Sequence, residues 1–245
     1  MKLTRIIGLA LLLISTSAWS QDSDQFDWKI TPYLWLVSMD GDLSIGPIDQ
    51  EIDASFGDIV SDLDFAGEIY AELGKDKHAF HVDYTYLRLK PDPTELPSPP
   101  FLPDSELSSK LTNNIFEAAY NYRWKGPDGP ALVLGARLID MEMRMSPARL
   151  PAVTAGPSWW DYLVGIKTHN TISPKWDFDF YGTIGTGGSD LPWTAQAVFG
   201  RRYSNDNRLM LGFRAWGLDY SNVNNSRPAA LDLNIYGFMV GYEFN

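Results

Sequence analysis

The side chains of this 245-residue chain that can move protons or bind ions are unevenly placed. Histidine occurs three times, as His78, His81 and His169, and cysteine not at all. No Lys or Arg interrupts the stretch from Ile30 to Gly74, which is rich in acids. Within it Asp40, Asp42, Asp53 and Asp58 belong to an acidic run with the D-x-D spacing of calcium ligands, but the rest of an EF-hand loop is missing. Weak Ca²⁺ or Mg²⁺ association through carboxylate oxygens is the chemistry they offer, and a solvated acidic loop is the plainer reading. The run "GTIGTGG" at 182–188 approximates a phosphate-binding loop, yet no helical pattern follows it. No nucleotide or other cofactor is expected.

A second set of polar residues sits inside alternating segments: Lys29, Glu68, Glu72, His81, Asp83, Glu117, Arg137, Asp161, Lys167, Gln196, Arg214 and Glu243. In "KWDFDFYGTIG" the rings of Trp176, Phe178 and Phe180 alternate with Asp177, Asp179 and Tyr181. In "DLNIYGFMVGYEFN" Tyr236, Phe238, Val240, Tyr242 and Phe244 alternate with Gly237, Met239, Gly241 and Glu243. Aromatic residues on one face and glycine or charge on the other, over about ten residues, mark a transmembrane barrel strand whose polar face lines the lumen. Depth along such strands sets Arg137 level with Glu117, and Lys29 near both Glu72 and Glu243. Opposite signs at one level, in a barrel too narrow to hold much beyond its own side chains, favour an internal ion-pair network over a selective open pore.

The elements that must position these residues are ten segments near 27–38, 64–74, 78–90, 106–124, 131–145, 158–169, 175–186, 191–203, 208–220 and 230–244. "GKDK", "KGPDG", "NTISPK" and "SNDN" are short turns. Residues 39–63, "PDPTELPSPPFLPDS", "SPARLPAVTAGPS", "TGGSD" and "SNVNNSRPAA" are mostly longer loops. Short periplasmic turns, longer extracellular loops and an even strand number describe an antiparallel up-and-down transmembrane β-barrel of ten strands. Residues 41–54 read as a further hairpin in an alternative with twelve. In the first extracellular loop Phe56, Ile59, Val60 and Leu63 recur at helical spacing, behind a Ser55–Asp58 capping box. So short a helix needs a surface to rest on, and it is expected to fold over the barrel mouth as a lid.

Residues 1–20 read as a signal peptide: Lys2 and Arg5, then the apolar "IIGLALLLI", then Ala18-Trp19-Ser20. Residues 21–245 form a single barrel domain. Without the leader, 18 basic and 31 acidic side chains remain, 18 − 31 = −13, which argues against nucleic acid as a partner. The mature chain has no apolar run long enough for a transmembrane helix. Trp28, Phe80, Trp124, Trp176, Tyr203 and Phe244 fall at the turn ends of their strands and Trp160, Trp193 and Tyr220 at the loop ends, as two interfacial girdles require.

The C-terminal "YGFMVGYEF" resembles the last strand of bacterial outer-membrane proteins, in which alternating aromatics ending in Phe are read by the barrel-assembly machinery; here Asn245 follows Phe244. The N-terminal "WKITPYLWLVSMDGDLSIG" and "IDASFGDIVSDLDFAGEIYAELGK" resemble an uncharacterised group of exported bacterial barrels of about this length. The resemblance implies a fold and an outer-membrane location, with lipid and lipopolysaccharide as surroundings, and no activity. A hydrolase needs a nucleophile beside a histidine, but the histidines fall near the turns and Ser189 and Asp190 at the opposite rim, so no catalytic residue is nominated. The expectation is a monomeric, porin-like outer-membrane barrel with a structural or narrow-channel role. A barrel enzyme acting on envelope lipid and a soluble periplasmic lipocalin-like binding protein are the alternatives.

Overall fold

Successive side chains of a strand point to opposite faces, so a chain that alternates in this way has one face to hide from water and one to hide from lipid. The computed structural model describes residues 26–45, 48–96, 105–126, 129–147, 151–203, 206–222 and 229–245; the leader expected at 1–20 lies outside them. The long strands are β1 (Asp27–Ile45), β3 (Leu63–Lys75), β4 (His78–Leu89), β6 (Ser105–Arg123) and β7 (Ala131–Pro147), followed by β9 (Ser158–Ser173), β10 (Trp176–Gly187), β11 (Trp193–Arg202), β12 (Arg208–Asn222) and β13 (Ala229–Glu243). They pair in the order β6-β4-β3-β1-β13-β12-β11-β10-β9-β7, and β7 returns to β6 from Leu107↔Pro147 to Arg123↔Ala131. The result is a closed antiparallel barrel of ten strands, as expected.

Three short strands decorate the wall without entering it. β2 (Ile48–Ala54) pairs β1, β5 (Thr94–Leu96) pairs β6, and β8 (Val153–Ala155) pairs β7. The hairpin considered for residues 41–54 therefore exists, but β2 has a single partner and the wall stays at ten.

Which parity is apolar changes along the strands. In β13 the outward residues Tyr236, Phe238 and Val240 are large, apolar and exposed, whereas Leu231, Leu233 and Ile235 are buried inside and Asp232 faces out. In β12 Leu209, Leu211 and Phe213 face out, and then Trp216, Leu218 and Tyr220 face in. In β1 Leu34 and Leu36 face out, and Val37 follows facing in. These inversions lie at one level, because Leu36 pairs with Phe238, Ser38 with Tyr236, and Tyr236 with Ala215. Below that level the wall is built for hydrocarbon; above it the barrel is built like a soluble one, apolar inside and acidic outside.

The turn-end aromatics Trp28, Phe80, Trp124, Trp176, Tyr203 and Phe244 are all exposed on the outer wall, and so are Trp160 and Trp193 towards the loop end. Tyr220 is not part of the girdle. It shares the parity of Arg214, points into the barrel and stacks on Trp159 with ring centroids 4.1 Å apart.

Helix α1 (Phe56–Ser61) begins at Ser55, whose amide donates to Asp58 Oδ2 at 2.9 Å while Asp58 N–H donates back to Ser55 Oγ at 3.4 Å. The Ser55 hydroxyl and then its amide hold the Asp58 carboxyl below the usual aspartate range. The cap's contribution is complete above that range and is lost as pH falls through the lowered value. Replacing Ser55 with Ala should speed hydrogen exchange at the Ile59 and Val60 amides roughly fivefold at neutral pH, leaving the strands protected. Unchanged exchange in the variant would show that the helix is held by packing alone.

Candidate functional site

The inward-facing positions of neighbouring strands meet in the lumen, and the register decides which charges face one another. At the turn end Arg208 of β12 is the hub. Its guanidinium donates to Glu243 at 2.9 Å, to Asp179 at 2.7 Å and to Asp177. His169 lies 2.5 Å from Asp179, and Arg202 3.3 Å from Asp177. Across the bore Glu72 accepts from Arg123 at 2.7 Å, from Tyr70 at 2.6 Å and from Lys167.

The middle of the lumen holds a second set. Arg137 donates through Nε and Nη2 to one oxygen of Glu117, at 2.9 and 2.6 Å, and through Nη2 to Thr194 at 2.7 Å. The other Glu117 oxygen receives the Tyr181 hydroxyl and lies 3.3 Å from His81 Nε2; the His81 Nδ1 is 2.9 Å from Asn121. Arg214 reaches Asp83 at 2.8 Å, Tyr33 at 3.0 Å and Gln196 at 2.7 Å. Tryptophans roof these cations: the Arg137 guanidinium lies 4.7 Å from the Trp216 ring and that of Arg214 5.3 Å from Trp35.

Above the tryptophans the lumen is apolar. Val37, Leu89, Ile139, Trp159, Trp216, Leu218, Leu231, Leu233 and Ile235 form one buried cluster that includes Ile59 from α1. The lumen holds cavities of about 390 Å³ at the turn-end mouth, about 80 Å³ in the middle and about 30 Å³ beneath Trp216.

Each residue nominated for the lumen from the sequence has its place. Arg137 and Glu117 face each other in the β6/β7 register and are bonded. Lys29 lies opposite Glu72 in the β1/β3 register and beside Glu243 at the turn-end mouth, but the direct partners of those acids are Arg123, Lys167 and Arg208. Asp161 takes its bonds from the Ser189 amide at 2.8 Å and hydroxyl at 3.0 Å rather than from a cation. Glu68 accepts the backbone N–H of Trp35 at 2.6 Å. Of the helix residues Ile59 is buried, whereas Phe56, Val60 and Leu63 are 41, 46 and 39 % exposed. The helix packs on β1 and β2 and bonds its Phe56 amide to Ser38 at 3.0 Å, so it stands in the wall rather than flat over the mouth.

Arg208, Asp177, Asp179 and Arg123 were not nominated from the sequence. Arg208 and Arg123 stand beside short turns, although Arg208 shares the parity of Arg214; Asp177 and Asp179 stand on the polar side of a strand whose neighbours in sequence do not include their partner Arg208. Among the described residues His169, Asp177 and Asp179 form the one group with ligand atoms within 4.8 Å of one another. Arg208 already donates to both carboxylates and supplies the charge a metal would bring. Of the expected cation ligands Asp40 and Asp53 face each other across the β1/β2 hairpin, where Asp42 faces Glu51, and Asp58 is taken up by the helix cap. His78 bonds Tyr120 at 2.5 Å, so each histidine has a partner that is not a serine.

No family model matches the chain, and no curated protein matches it. Among solved structures, the translocator domain of the autotransporter NalP from Neisseria meningitidis is similar over 89 % of this chain and 88 % of that one, at 12 % identity and a TM-score of 0.51. The outer-membrane protease OmpT from Escherichia coli aligns over 94 % of this chain and 99 % of that one, at 10 % identity and a TM-score of 0.49. Identities this low speak to fold alone, and of these two likenesses that to NalP bears on it. With ten strands closed on themselves, an exposed apolar belt and two aromatic girdles, the chain has the fold of the bacterial outer-membrane β-barrels.

Proposed function

We propose that the protein is a monomeric integral barrel of the outer membrane, with its short turns in the periplasm, a structural role and no open axial pore. The observation that carries this reading is the filled lumen: two levels of ion pairs bridged by tyrosines, roofed by tryptophan and closed by an apolar plug. An ion moving along the axis would have to break buried pairs in the middle and then cross a dry layer, and both steps are costly. The histidines are engaged with tyrosine, asparagine and carboxylates, which supports a non-enzymatic role. The last strand, with Phe244 bonded to Ile30 in both directions across the seam, is the segment the barrel-assembly machinery would read. Purified protein in planar bilayers should give no unitary conductance steps. Reproducible ohmic steps from correctly folded protein would overturn the sealed reading in favour of a narrow channel.

A further inference from the structure

The wall has a gap. β1 pairs with β3 only from Asp27↔Gly74 to Tyr33↔Glu68, although both strands continue upward. β3 keeps its pairing with β4 as far as Leu63↔Leu89, and β1 next meets a partner on that side at Met39↔Ala54 of β2. Residues 34–38 of β1 thus form an open edge inside a closed barrel. Two side chains bridge it: the Glu68 carboxylate accepts the Trp35 N–H of the edge at 2.6 Å, and the Ser38 hydroxyl oxygen accepts the Phe56 N–H of α1 at 3.0 Å. An edge facing lipid cannot leave such donors unpaired.

α1 stands in this gap and does not fill it. A cavity of about 150 Å³ remains, lined by Leu34 and Leu36 from the outside and by Trp35, Ile115 and Trp216 from the lumen. Because both faces of the wall contribute, the cavity passes through it. Its height is fixed by the inversion of parity at Leu36 and Val37, which puts it at the top of the apolar belt, where outer-leaflet chains lie. Apolar cavities of about this volume stay dry and take up molecules such as benzene.

We propose that this gap is a lateral binding site for the acyl chain of an outer-leaflet lipid, which enters between β1 and β3 beside α1 and packs against Ile115 and Trp216. The occupant follows from continuity: the cavity opens into the belt that hydrocarbon already covers. The proposal rests on the membrane placement of the barrel and not on whether the axis is sealed.

Photo-crosslinking tests it. The intact protein is reconstituted in bilayers containing a phospholipid with a diazirine in its acyl chain, irradiated, and mapped by mass spectrometry. Adducts are expected on belt residues such as Phe238 and Leu211 and also on lumen-facing Ile115 or Trp216. Ala66 also lines the cavity, and an Ala66→Trp variant should lower the lumen adducts at least about fivefold while sparing the belt. Belt adducts without lumen adducts would overturn the lateral site alone. Lumen adducts that persist undiminished in the filled variant would overturn this route, and an absence of belt adducts would overturn the membrane placement with it.

Discussion

Replacing Arg137 with methionine is expected to cost about 3–5 kcal/mol, because it leaves the Glu117 carboxylate buried without its cation. Glu117 is 6 % exposed, and its remaining neighbours are Tyr181 and His81. The double change Arg137→Met with Glu117→Gln removes the charge together with its partner and should recover most of that loss. Denaturant unfolding in lipid vesicles, followed by the gel mobility of the folded barrel, gives the three free energies required. Strictly additive effects would mean that the two groups are not coupled and that water screens them in the middle of the lumen.

The larger loss is expected at Arg208. Its guanidinium is shared by Asp177, Asp179 and Glu243, drawn from β10 and β13, so Arg208→Met strips one cation from three acids at once. Arg202 and His169 compensate two of them in part; Glu243 keeps no direct ion pair among the described residues. The space for this hub is supplied from β11, where a Cβ on Gly200 would overlap both Asp177 and the guanidinium. Gly200→Val should therefore reproduce the phenotype without touching a charge. For both variants the heat-modifiable folded band should shrink strongly, and Glu243→Gln with Asp177→Asn should restore part of it in Arg208→Met. Normal folding of Gly200→Val would show that the hub can be displaced without penalty.

How far such groups can be found in advance depends on parity. Period-2 alternation places a residue in or out, and it positioned the strands of the wall to within a few residues except β1, which continues seven residues past the expected end at 38, to Ile45. It also set Arg137 opposite Glu117, since both lie on neighbouring strands joined by a short turn. Arg208 and Asp177 escaped because β11 lies between their strands, so their meeting depends on the curvature of the closed barrel and not on local spacing. Tyr220 was misplaced for a different reason: an aromatic residue near a strand end reads as girdle unless its parity is compared with Arg214. The gap between β1 and β3 could not be read from the alternation, because a period-2 pattern says which face a residue takes and not which neighbour its backbone pairs with. The helix was legible in its cap and apolar spacing, whereas its seat in the wall depended on that gap.

The inversion of parity also fixes a length. Along β13 and the residue after it the outward apolar run extends from Tyr236 to Phe244, and eight residue steps at a tilt of about 40° rise about 21 Å. A typical bilayer has a hydrocarbon thickness of about 30 Å, and the bacterial outer membrane is thinner than average. Hydrophobic mismatch then sorts the molecule by thickness. In a bilayer of long-chain lipids the surrounding leaflets must thin to meet the belt, and neighbouring barrels lower that cost by sharing the deformed annulus, so they cluster. In a thin bilayer no such force acts, and they stay dispersed.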